Sequence, residues 1–179
     1  LIEISGGTYE QPRLIGVDNI SINPKRSEVR KESTIAREAY FLEYAKNIKE
    51  AVSLPLMVTG GFRSKQGIEN ALDSHVCLIV GVGRPLCADP FCIKKMIDGE
   101  IQTLPSYEKT LSLGPWILSS SSPVTIIQAI NAFGAMAWFY QQIKQMAKGN
   151  MPNLKQKLFN AFRADSKADK LAIKDYLEN

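Results

Sequence analysis

Two apolar runs in this chain stop abruptly at glycines, and an arginine stands close behind each stop. The first is "LMVTGGFRSK", residues 56–65, and the second is "LIVGVGRPLCADP", residues 78–90. A strand that ends where side chains are missing has two uses. It makes a tight turn, or it lets something anionic come close to the backbone. A third apolar run, "LIEIS" at residues 1–5, reads as a strand already under way, without the basic start and cleavage site of a leader. The chain is therefore expected to be the C-terminal part of a longer protein.

The runs at 54–59 and 77–83 are almost continuously apolar, the pattern of parallel strands covered on both faces. Between the strands lie helical patterns. Phe41, Tyr44, Ala45, Ile48 and Val52 recur at three- and four-residue steps, and Ile68, Ala71 and Leu72 mark a shorter helix. In "ADPFCIKKMIDG", Asp89 reads as an N-cap, Pro90 as the first helical residue and Gly99 as the residue past the end. Strand–helix repeated three times implies right-handed crossovers and a parallel α/β sheet. Residues 13–34 are polar, basic at Lys25, Arg26, Arg30 and Lys31, and without period, which reads as a solvated loop.

The second part of the chain differs. No charged residue occurs between Lys109 and Lys144, and a helix is expected from Ser122–Pro123 to about Lys148, closed by Gly149. Ile126, Ile127, Ile130, Phe133, Met136, Trp138, Phe139 and Tyr140 make residues 123–148 a stretch that could touch a membrane. Gln128, Asn131 and Gly134 interrupt it, and a packed helix is the preferred reading. From Asn153 onward Leu154, Leu158 and Phe162 suggest a lysine-rich surface helix.

With 45% apolar and 22% charged residues, the chain is ordinary for a globular protein, and its net charge of +4 is too mild to argue for nucleic acid. Three cysteines without CxxC spacing suit a reducing compartment, and a cytoplasmic location is expected. Both glycine sites fall at the C-terminal ends of consecutive strands, where α/β folds bind ligands. The amides near Gly60, Gly61, Phe62, Gly83 and Arg84 could converge on one phosphate, with the Arg84 guanidinium as a forked donor. There is no GxxxxGK[ST], and "GVGRPL" has Leu86 where a dinucleotide fingerprint needs its third glycine. The phosphate site of a TIM barrel, made by the loops after its seventh and eighth strands, remains. Singly, each glycine site would read as a turn.

"LIEISGGTYEQP", "REAYFLEYAKNIKEAVSLPLMVTGGFR" and "GVGRPLCADP" resemble the closing third of the barrel in the NADH:flavin oxidoreductases of the Old Yellow Enzyme family, in the NADH oxidase-like branch. The resemblance covers roughly residues 1–105 and implies the last three β/α units of a (β/α)8 barrel, strands six to eight, with residues 106–179 as a C-terminal helical extension. It implies FMN as cofactor, its phosphate held at Gly60, Gly61, Phe62, Gly83 and Arg84, and NAD(P)H as co-substrate. A small-molecule acceptor is expected: an electron-poor alkene, a quinone or oxygen. A homo-oligomer is compatible with this reading. The family's catalytic residues come from earlier strands, so no catalytic residue is assigned within this chain. Arg63 occupies a variable position and receives no ligand role. Tyr9 reads as a loop packing residue before a substrate contact. Cys77, Cys87 and Cys92 have neither the number nor the spacing for an iron–sulfur cluster, and His75 has no companions for a metal.

Two other readings compete. An FMN-dependent 2-hydroxy-acid oxidase needs a histidine near the seventh βα region, and residues 51–63 contain none. A non-catalytic truncated barrel or membrane-attached interaction module describes the polypeptide but not its parent. Three of eight strands leave sheet edges and an apolar face uncovered. The isolated 179-residue chain is therefore expected to fold poorly or aggregate and to hold FMN weakly. A soluble, monomeric, yellow preparation would contradict that.

Overall fold

The computed structural model describes residues 1–5 and 34–178, with the side chains of 34–41 and 43 outside the description. The basic loop at 13–33, Tyr9 and the Phe41 side chain therefore lie outside the described residues. The chain divides into two compact units, the first ending at Ser106 and the second running on from Tyr107.

The first unit is an α/β layer. Its elements are β1 (Ile2–Ser5), α1 (Thr34–Ala51), β2 (Leu56–Thr59), α2 (Lys65–Asp73), β3 (Ile79–Gly81), α3 (Arg84–Ala88) and α4 (Cys92–Ile97). The three strands form one parallel sheet in the order β1-β2-β3. Ser5 lies opposite Thr59, and Thr59 opposite Gly81, so all three strands end at the same level. Leu56 and Val58 point to one side and are buried with Ala45, Phe62, Ala71 and Cys77. Ile2, Ile4, Ile48, Val52, Ile68 and Val80 pack against this cluster, which is how two amphipathic helices and a sheet share one core.

Several expected boundaries move. The run at 77–83 is a strand only over Ile79–Gly81, and Leu78 is 69% exposed, so this run is not covered on both faces. A short strand at a sheet edge has a neighbour on one side only, which leaves such residues uncovered. Tyr44, read as part of the apolar face of α1, is exposed. Asp89 is not the N-cap of a helix starting at Pro90. It ends α3, and α4 starts at Cys92 after Phe91. Pro85 sits in the first turn of α3, and Asp89 accepts from Phe91 N through Oδ1 at 3.0 Å, an Asx turn joining the two helices. Gly99, at φ +81, does follow the end of α4.

The second unit is built on α5 (Thr125–Ala147) and α6 (Leu158–Glu178), preceded by two single-turn 3₁₀ helices at Tyr107–Lys109 and Trp116–Leu118. The helix expected from 122–123 starts at Thr125 and is closed by Gly149 at φ +76. Leu154 is exposed and precedes α6, whereas Leu158 is buried and Phe162 half-buried. The residues that interrupt the apolar stretch are the ones that build this unit. Asn131 is buried; its Oδ1 accepts from Leu113 N at 2.7 Å, and its Nδ2 donates to Leu118 O and Ser119 O at 3.1 Å and to Ile127 O at 2.8 Å. One amide thereby ties the 113–119 turn to the helix. Gly134 gives Leu158 its seat, since a Cβ there would lie 2.3 Å from Leu158 Cδ2. Among the described residues, no helix is long and apolar enough to cross a membrane.

Candidate functional site

The candidate site begins where β2 ends. Gly60 and Gly61 follow Thr59 with φ of 123° and 79°, conformations in which a Cβ is strained. The chain then turns so that Phe62 drops into the core, 1% exposed. Its ring therefore packs below the sheet end, and only its backbone amide could serve a ligand. Beyond Phe62 the loop is pinned by main-chain bonds: Leu104 N donates to Arg63 O at 2.7 Å and Lys65 N to Gln102 O at 2.9 Å. Arg63 is folded back on its own surroundings, with Nη1 donating to Phe62 O at 3.2 Å and Nε to Ser106 Oγ at 3.3 Å. Ser64 then caps α2, its hydroxyl accepting from Gly67 N at 3.0 Å.

The neighbouring loop starts two residues beyond β3. Gly83 is the N-cap of α3 and Arg84 its first residue. No atom lies within 4 Å of where a Gly83 Cβ would stand. That glycine thus faces open space, as a backbone approached by a ligand must. Arg84 is half-buried, and the following Pro85 is buried. Cys87 Sγ donates to Gly83 O at 3.7 Å, and Leu86 N donates to the same oxygen at 3.0 Å, which closes the first turn of the helix.

The pairing of Thr59 with Gly81 brings these two loops to the same end of adjacent parallel strands. Gly60, Gly61 and the Phe62 amide belong to one, Gly83 and Arg84 to the other. The helix read as starting at Asp89 does not start there; the one that opens at the second loop is α3, at Arg84.

The other singled-out residues belong to the framework. Cys77 and Cys92 are buried and Cys87 half-buried. Burial pushes all three thiols above the usual cysteine range, and the nearby Asp89 carboxylate adds to the rise at Cys92. They are protonated at neutral pH and poor nucleophiles. His75 is exposed in a turn after α2, with φ 55°.

What sequence reasoning missed is the polar contact under the first loop, where Thr59 Oγ1 donates to Glu3 Oε1 at 2.7 Å. It also missed the pinning of the 63–65 backbone by 102–104. A serine ahead of a short helix is a readable signal for Ser64; a main-chain bond across 41 residues leaves none.

No protein-family profile matches the chain. Over 97 residues it is 37% identical to a NADH-dependent flavin oxidoreductase, iliE, of Neonectria sp. (strain DH2), covering 54% of this chain and 12% of that protein. Over 152 residues it is 30% identical to the NADH-dependent flavin oxidoreductase iccE of Talaromyces variabilis, covering 82% of this chain and 34% of the relative. The chain is a sequence relative of the NADH-dependent flavin oxidoreductases. A bilirubin reductase of Mediterraneibacter gnavus (strain CC55_001C) is 43% identical over 61 residues, 34% of this chain and 10% of that protein. The chain thus spans between 12% and 34% of the length of the two flavin oxidoreductases compared. The relatives' names point to flavin-dependent oxidoreduction with NADH as the general chemistry.

Proposed function

We propose that this chain supplies the phosphate end of an FMN site in a flavin-dependent oxidoreductase, as the last three β/α units of a (β/α)8 barrel. The observation that supports the reading is the register of β2 with β3, whose carboxyl ends, Thr59 opposite Gly81, lead into the loops that carry Gly60–Gly61 and Gly83–Arg84. The amides of Gly60, Gly61, Phe62, Gly83 and Arg84 would hold the phosphate, and the Arg84 guanidinium would share its charge. Gly83 has the open approach that such contact requires. FMN held there would supply the redox chemistry, hydride transfer from NADH or NADPH to an electron-poor alkene, a quinone or oxygen. One relative's name, a bilirubin reductase, agrees with an organic acceptor. This chain's own part is to bind and orient: the phosphate anchored at one end of the cofactor fixes where its reactive ring can lie.

Arg84→Ala in the full-length natural protein is expected to weaken FMN binding by about 1–3 kcal/mol, the range for losing a charged hydrogen-bond partner. Titration of the apoprotein with FMN, followed by quenching of flavin fluorescence, measures it. An unchanged Kd removes Arg84 from the site.

A further inference from the structure

The sheet has two unlike faces. Ile2, Ile4, Leu56, Val58 and Val80 face the helices, so the other face carries Glu3, Ser5, Met57, Thr59 and Gly81. On that face Thr59 reaches across to β1 and donates to Glu3 Oε1 at 2.7 Å, joining residues 56 apart in the chain. On its other side, Thr59 stands beside Gly81, and a Cβ at Gly81 would lie 2.0 Å from the same Oγ1. The missing side chain on β3 is what leaves the hydroxyl its place. Three strands thus cooperate on one face of the sheet: Glu3, opposite Met57 and so one diagonal step back, supplies a carboxylate, Thr59 the hydroxyl, and Gly81 the room for it.

Thr59 is also the residue that hands the chain on to Gly60 and Gly61. Two glycines in succession form a soft joint, because neither has a Cβ to restrict its dihedrals. The direction of their amides then depends on how firmly each end is held. The far end is held by the buried Phe62 ring and by the bond from Leu104 N to Arg63 O. The near end is the last residue of a strand, where ladder hydrogen bonds run out.

We infer that Glu3 and Thr59 form a clamp that sets the direction of the Gly60 and Gly61 amides, and that both are positioning residues for the phosphate group of the bound flavin. The clamp rests on the reading given under Proposed function. Neither side chain has to touch the ligand for it to act.

The test uses the full-length natural protein, stripped of flavin, with FMN and riboflavin as the two probes. Riboflavin lacks the phosphate, so it separates the cradle from the rest of the site. Thr59→Val keeps the shape and removes the donor; Glu3→Ala removes the acceptor. Each is expected to raise the Kd for FMN about three- to tenfold, the size of one charge-assisted hydrogen bond near a surface. Riboflavin affinity should stay within about twofold, and Thr59→Ser, which restores the donor, should return FMN binding to the wild-type level. The double variant should be no weaker than either single one, because both break the same bond. FMN binding unchanged in Thr59→Val overturns the clamp, and if Arg84→Ala still weakens FMN the phosphate reading survives without it. A parallel loss of FMN and riboflavin also overturns it, since that marks general damage to the fold. A wild-type protein that binds neither probe sinks the flavin reading, and the clamp with it.

Discussion

Replacing Trp138 with alanine is expected to cost the second unit about 3–5 kcal/mol, the range for emptying a buried tryptophan site. Trp138 is 1% exposed in the middle of α5. Its ring stacks on Tyr107 with centroids 6.1 Å apart and meets the Phe139 ring edge-on at 5.2 Å. Such aromatic pairs add to the burial itself. Its indole Nε1 donates to Gln156 O at 2.9 Å, and the same stretch is held by the buried Gln142, whose Nε2 donates to Gln156 Oε1 at 3.1 Å and whose Oε1 accepts from Asn153 N at 2.7 Å. The substitution therefore opens a cavity and orphans a carbonyl in the connection that returns the chain into α6. Trp138→Phe keeps one six-membered ring but loses the pyrrole ring with its donor, so an intermediate loss of about 2–3 kcal/mol is expected. Urea denaturation followed by helical circular dichroism would measure both. A Trp138→Ala protein within about 1 kcal/mol of wild type would mean that the ring is not in the core of this unit.

Gly81→Val should also damage the first unit, by about 2–4 kcal/mol, for a different reason. No cavity is made; there is no room. A Cβ at this position would lie 2.0 Å from Thr59 Oγ1 and 2.8 Å from Thr59 Cβ and Met57 Cε. Met57 can swing away because the contact is with the tip of a flexible chain. Thr59 cannot move without giving up its bond to Glu3. Overpacking of this kind costs about 1–3 kcal/mol, and the broken hydrogen bond, which is exposed, adds about 0.5–1.5 kcal/mol. If the clash is the cause, Thr59→Gly in the same protein should recover part of the lost stability, whereas two independent lesions would add. Gly83→Ala is the control. Nothing lies within 4 Å of its Cβ position and its φ is −105°, so about 1 kcal/mol or less is expected from the changed N-cap. Denaturation midpoints that rank Gly83→Ala as the worse of the two would refute this account of the sheet.

The two glycines illustrate what a sequence carries and what it leaves out. Written in a row, Gly81 and Gly83 are alike: both follow an apolar run, and both read as punctuation of a strand. In three dimensions Gly81 makes room for a neighbour's hydroxyl, while Gly83 faces open space beside a helix start. Nothing local separates them, because what stands over each comes from another strand. Thr59 and Glu3 are similarly opaque: 56 residues of chain separate two polar groups that parallel pairing sets on one face.

The sequence by itself determined the alternation of the three strands with α1 and α2 in the first unit, because hydrophobic period and chain punctuation are local properties. It also determined the parallel sense of the sheet, since strands joined through helices have to run the same way. The long helix closed by Gly149 was legible for the same reason. Tertiary structure decided the rest. It shortened the third strand, moved Asp89 from the start of one helix to the end of another, and turned Asn131 and Gly134 from interruptions into the contacts that assemble α5 with its surroundings. These outcomes depend on which atoms meet across long loops, and van der Waals contact and hydrogen bonding act over a few ångströms of space regardless of how far apart the partners lie along the chain.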